Sequence, residues 1–132
     1  MRADWTITTE PDRRILRLTM SGMFTADDVR RMDHERQRAI GQLRCGFNRH
    51  LALCDVSATE LSTTDVADAL RQAIGQPMFR ARRCAMVLSG TLARMQARRV
   101  VDRPDVAFFD TVAEAEAWLM RPFLSDESTA AA

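Results

Sequence analysis

The spacing of hydrophobic positions along this 132-residue chain changes several times, and each change marks an element. WTIT and RRILRLTM flank the turn signal Glu10-Pro11-Asp12, and Leu16, Leu18 and Met20 recur at period two, which predicts a β-hairpin. SGMFT is expected to break the second strand, and Thr25-Ala26-Asp27-Asp28 has the form of a capping box that opens a helix. Val29, Met32, Ala39, Ile40 and Leu43 then mark the buried stripe of a long first helix. LALC, residues 51–54, is apolar without alternation, as in a strand covered on both faces, and is expected to stop at Asp55. Val66, Ala69, Leu70, Ala73 and Ile74 follow strict helical spacing, with Gly75 and Pro77 as the stop. CAMVL, residues 84–88, repeats the buried-strand pattern, and Ser89-Gly90-Thr91 turns it into a third helix. That helix is expected to bury Leu92, Met95 and Val100 and to turn Arg94 and Arg98 outward. VAFF, residues 106–109, is the last strand. Thr111-Val112-Ala113-Glu114 caps a final helix with Ala115, Trp118 and Leu119 inward, closed by Arg121 and Pro122.

The resulting order is β-β-α-β-α-β-α-β-α. Alternating strands and helices imply an α/β fold with a mostly parallel sheet, to which the N-terminal hairpin adds an antiparallel strand. Residues 1–122 suffice for one domain with one core, and residues 123–132, ending in SDESTAAA, are expected to be a disordered tail. If successive strands are neighbours, right-handed crossovers put every helix on one face of the sheet. The doubly apolar strands nevertheless require cover on the second face, and the N-terminal segment, a partner subunit or an apolar ligand are the occupants expected to supply it.

Composition narrows the chemistry. All 19 basic residues are arginine, so mechanisms that use a lysine base or Schiff base are excluded, and tyrosine is absent as well. Cys54 and Cys84 lie inside apolar runs and Cys45 follows a helix, a distribution that suits unpaired thiols in a reducing compartment. His34 and His50 are not spaced as metal ligands with each other or with a cysteine pair, and both are expected at the surface. No cofactor is implied. No apolar run is long enough to span a bilayer and the first residues lack a secretory signal, so a cytoplasmic protein is expected. Residues 71–103 hold eight arginines against Asp102 alone, and Arg80, Arg82, Arg83, Arg94, Arg98 and Arg99 are candidates to contact an anionic surface. Aromatic residues are not interleaved among them, which disfavours nucleic acid.

The element order, together with SGMFTADDV, LALCDVS and AFFDTVAEAEAWL, resembles the STAS superfamily, and within it the small stand-alone SpoIIAA-like domains of bacteria. The resemblance runs from about Trp5 to Leu119 and implies a β-α superhelix without enzymatic activity. In the anti-sigma-factor antagonists of that superfamily, an Asp-x-Ser leads to an Asp-Ser-Ser-Gly segment in which a partner kinase phosphorylates a serine. The first element is present here as Asp55-Val56-Ser57, but the second reads Ser62-Thr63-Thr64-Asp65. Counting from Asp55 without gaps puts Asp65 at the second serine, and Asp65 is already negative.

Three roles compete for these hydroxyls. Helix capping suits Ser62, because Ser62 to Asp65 is itself a capping box. Phosphorylation at Ser62, Thr63 or Thr64 would place a dianion at a helix N-terminus, which stabilises it. Nucleophilic catalysis has neither a G-x-S-x-G elbow nor a base in evident reach. The expected function is therefore a non-enzymatic regulatory domain that meets a protein partner through residues 55–65 and the adjoining helix, Val66 to Ile74. The alternative is a carrier or sensor of a lipophilic molecule, associated with the periphery of the inner membrane, for which eight methionines and an uncovered sheet face argue. A homodimer that buries this face is expected, with Trp5, Met23 and Phe24 as its contact.

Overall fold

The computed structural model describes residues 2–60 and 63–123. Strands β1 (Asp4–Glu10) and β2 (Ile15–Met23) form the hairpin. They are followed by α1 (Ala26–Leu43), β3 (Leu51–Glu60), α2 (Thr64–Ile74), a 3-10 turn (Pro77–Phe79), β4 (Arg83–Val87), α3 (Thr91–Val100), β5 (Val106–Phe109) and α4 (Val112–Leu119). The strands lie side by side in chain order, β1 antiparallel to β2 and all others parallel. This is the predicted α/β arrangement.

Neither expected strand break occurs. β2 passes through Ser21 and Gly22 to Met23, and β3 passes through Asp55, which pairs with Thr19 on one side and Val87 on the other. A register shift between Thr19 and Ser21 absorbs the irregularity. Gly22 sits at φ +85°, and a Cβ there would lie 2.1 Å from the Arg2 carbonyl oxygen, so the chain end can bridge to Met23 only because this residue is glycine.

Side chains alternate between two cores. Leu18, Met20 and Val56 point to the face covered by Val29 and Met32 of α1 and by Val66, Ala69 and Leu70 of α2. Leu16 packs with Ala39, Ile40 and Leu43 farther along α1. Ile15, Leu51, Leu53, Ala85 and Val87 point the other way, onto Ala115 and Leu119 of α4. The second face is thus covered by α4, not by the N-terminal segment, a partner or a ligand. The crossover rule constrains only helices that join two parallel strands, and α4 follows the last one.

Polar contacts hold α4 in place. Arg17 and Arg13 of the hairpin pair with both Glu10 and Glu116 of α4, and the hydrogen bonds from these arginines hold both carboxyls below their ordinary range. Arg83 donates to the carbonyls of Trp118 (3.2 Å) and Arg121 (2.7 Å), satisfying the helix C-terminus, and lies over the Phe123 ring. Phe123 also packs against the α4 cluster, although it was expected in the tail. The rest of that expectation falls on residues 124–132, outside the described residues.

α3 is rotated from its expected position. Leu92 and Met95 are 68% and 54% exposed, Ala97 is buried, and Val100 packs against the core. Arg94 explains the rotation: its Nε donates to the Leu88 carbonyl (2.8 Å) and its guanidinium to Asp110 (2.6 Å), which turns small residues toward the sheet. Leu119→Ala is expected to lower stability by about 2–5 kcal/mol, whereas Leu92→Ala should change it by less than about 0.5 kcal/mol. Urea unfolding of the two variants checks both orientations.

Candidate functional site

The sheet face toward α1, α2 and α3 is not filled. A cavity of about 440 Å³ lies between them. Its walls explain it: Ala52, Cys54 and Cys84 on the sheet, Ala73 on α2 and Ala97 on α3 stand where larger side chains would close the space. Met20, Met32 and Met86 add flexible apolar surface. Thr64, Arg71 and Arg99 line the cavity and are exposed, so it opens between α2 and α3, where Arg71 Nε donates to the Arg99 carbonyl (3.3 Å).

Polar groups interrupt the apolar lining at a few places. Asp33 and Arg36 of α1 are paired at 2.8 Å, Gln37 also donates to Asp33 (2.9 Å), and Arg36 further donates to the carbonyls of Ala73 (3.1 Å) and Phe79 (3.3 Å). His50, just before β3, is 1% exposed, and neither ring nitrogen has a hydrogen-bond partner among the described residues. Burial, and secondarily the Arg36 charge, push it down to about 4, so the imidazole is neutral. Thr59 Oγ1 and Arg80 Nε line the same cavity and are likewise buried without a hydrogen-bond partner. Cys54 and Cys84, on neighbouring strands, hydrogen-bond to each other, and this bond together with burial pushes the Cys84 thiol up.

A shallower hollow of about 280 Å³ beside Trp5, Ile7 and Arg38 is more polar and more open. Its indole already donates to Glu35. The described residues contain no cluster of three or more His, Cys, Asp or Glu side chains placed to hold a metal ion.

No family model matches the chain, and no curated protein matches it by sequence. Among solved structures, it is similar to an uncharacterized protein of the DUF3478 family with a SpoIIAA-like fold from Shewanella loihica PV-4. The two are 21% identical with a TM-score of 0.69, over 89% of this chain and 93% of that one. The fold is SpoIIAA-like. An anti-sigma factor antagonist from Mycobacterium paratuberculosis has the same architecture, at 12% identity and a TM-score of 0.60, over 89% of this chain and 96% of that one.

On this SpoIIAA-like frame the predicted hydroxyl segment is shorter than expected, because β3 extends to Glu60. Asp55 and Ser57 are strand residues, and the Asp55 carboxylate accepts from both the backbone N–H (3.1 Å) and the hydroxyl (2.6 Å) of Ser57. Thr63 is the N-cap of α2, accepting from Val66 N at 3.3 Å, while Thr64 and Asp65 are exposed in the first turn. The cap expected of Ser62 therefore belongs to Thr63, and Ser62 itself lies outside the described residues. The six arginines take different contacts. Arg82 and Arg83 stack on Phe123, Arg80 and Arg99 line the cavity, Arg94 is tied to Asp110, and Arg98 lies over Phe108. Phe24 is buried against Trp5, which removes it from the expected dimer contact.

His50 is the principal residue that sequence reasoning misplaced, and Asp33 and Arg36 were passed over. A signal existed for each: His50 abuts a doubly covered strand, and positions 29, 32, 33, 36 and 40 form one helical stripe. An unfolded chain protonates His50 near pH 6.5 and the folded chain only near 4. The unfolded state binds more protons between these values, so stability falls as pH drops through that window. The loss through His50 is expected to reach about 3 kcal/mol at its lower end. His50→Phe should remove this component from urea unfolding measured between pH 7 and 4; equal pH slopes in the two proteins would contradict the assignment.

Proposed function

We propose that this chain is a non-enzymatic regulatory domain that holds a lipophilic small molecule between its sheet and its α1–α3 layer. The cavity carries this reading. Its volume falls in the range of small-molecule sites, its lining is largely apolar, and the few polar groups within it converge at defined positions. A lining built from alanines and cysteines makes the space a property of the sequence, one that a single larger residue would narrow.

A protein partner is the second part of the proposal. The likeness to an anti-sigma factor antagonist supports it, and the exposed surface of Ser57, Thr63, Thr64 and Asp65 is where the partner would dock. Thr64 stands in the first turn of α2, where a phosphate would meet free N–H groups. This surface adjoins the cavity, since Thr63 and Thr64 also line it, so ligand and partner would sense each other through α2. Leu92 and Met95 give α3 an exposed apolar face beside Arg98, suited to a peripheral contact with the inner membrane. No helix among the described residues is long and apolar enough to cross a membrane.

The neutral fluorophore N-phenyl-1-naphthylamine tests the cavity. Saturable binding at one site per chain is expected, and Ala97→Phe should weaken it about tenfold or more by filling the space. Binding that Ala97→Phe leaves unchanged, or no binding at all, would overturn the proposal.

A further inference from the structure

The lining of the cavity is unbalanced in charge. Arg36, Arg71, Arg80, Arg99 and Arg103 contribute to it; Arg36 is paired with Asp33, Arg71 with Asp68 (2.8 Å) and Arg103 with Asp105 (3.2 Å), and Arg99 is exposed, so the half-buried Arg80 is the lining arginine left without a carboxylate among the described residues. A lipophilic neutral molecule would leave the Arg80 charge uncompensated beside a low-dielectric space, where charge complementarity counts most.

Two of the unused donors, on His50 and Arg80, lie at the N-terminal end of β3, and Thr59 Oγ1 lies toward the other. His50 directly precedes β3, and its carbonyl accepts from Arg82 N at 2.8 Å; the Asn48 amide donates to the Pro77 (2.6 Å) and Arg80 (2.9 Å) carbonyls. These bonds place the backbones of His50 and Arg80 at the N-terminal edge of β3 and β4, and both side chains line the cavity. Each has a buried nitrogen without a hydrogen-bond partner among the described residues, and the Arg80 guanidinium has no carboxylate paired with it there. Arg36 is taken up by Asp33 and two carbonyls, but its charge is felt at His50. From that end, Leu18, Ala52, Cys54, Val56 and Met86 continue the lining as apolar wall.

We infer that the cavity binds an amphipathic monoanion, of which an aliphatic carboxylate is the simplest, with its acid group at Arg80 and His50 and its chain along the sheet toward Val56. The inference rests on the reading that the cavity takes a lipophilic ligand, and it adds the charge and the direction of that ligand. Arg80 supplies the charged donor and the neutral His50 a single N–H, a pairing that fits one carboxylate and leaves the rest of the molecule in contact with carbon and sulfur.

Displacement of N-phenyl-1-naphthylamine by decanoate and by 1-decanol, at pH 7.5 and fixed ionic strength, separates the two claims. In the unaltered protein decanoate is expected to compete about tenfold more strongly than decanol. Arg80→Gln should raise the decanoate midpoint about tenfold and leave that of decanol unchanged. Arg30→Gln, at an exposed position on α1 outside the cavity lining, should alter neither. Decanol competing as well as decanoate, or an Arg80→Gln effect equal on both, would overturn the anionic assignment while the fluorophore's own binding upholds the cavity. Failure of the fluorophore to bind would overturn both. The decanoate and decanol comparison in the unaltered protein decides the matter even if Arg80→Gln does not fold.

Discussion

Right-handed connection of neighbouring parallel strands is the constraint from which the rest of this structure follows. With β2 to β5 in chain order, α1, α2 and α3 are all committed to one face of the sheet, and only α4 is free to cover the other. The α4 face is closed tightly by Ala115 and Leu119, and arginines reinforce it from two directions. The opposite face depends on three helices of unequal quality. α1 and α2 bring long apolar stripes, whereas α3 brings Ala97 and half-buried Val100 and is turned by Arg94 so that its larger apolar residues face outward. A sheet covered in this way retains space beneath α2 and α3.

That space explains several otherwise unconnected features. Buried polar atoms without partners are costly in a well-packed core. Here His50, Thr59 and Arg80 all line the same cavity, so their unused hydrogen-bonding capacity faces a common space. The cavity also joins α2, whose first turn carries the exposed Thr64 and Asp65, to α3, whose Leu92 and Met95 are exposed. The likeness to solved structures fixes the architecture.

Much of the architecture was legible from periodicity and caps. The stripe of α1, the stripe of α2, the capping box at Thr25 and the N-cap at Thr111 all stand where their spacing predicts, although Glu114 meets the Thr111 hydroxyl and not its backbone N–H. The failures have physical causes. Local turn signals at Ser21-Gly22 and at Asp55 were outweighed by sheet pairing on both sides of the strand. The rotation of α3 was set by a tertiary contact of Arg94 that no helical pattern encodes. The cover supplied by α4 was overlooked because crossover handedness was extended to a helix that makes no crossover. The site was the least legible part: a cavity is defined by what small residues fail to fill, and Ala52, Ala73 and Ala97 look like ordinary core positions until their neighbours are known. The hydroxyls of residues 57–64 attracted attention by composition, and the structure gives them local work, with Ser57 bound to Asp55 and Thr63 capping α2.

Native mass spectrometry of the full chain, purified from its own cells without detergent, tests the account most directly. The central claim predicts a discrete non-covalent adduct that is released on unfolding and proves, on extraction, to be an apolar acid. A spectrum showing only the bare chain, from protein that has never been exposed to detergent or organic solvent, would contradict it.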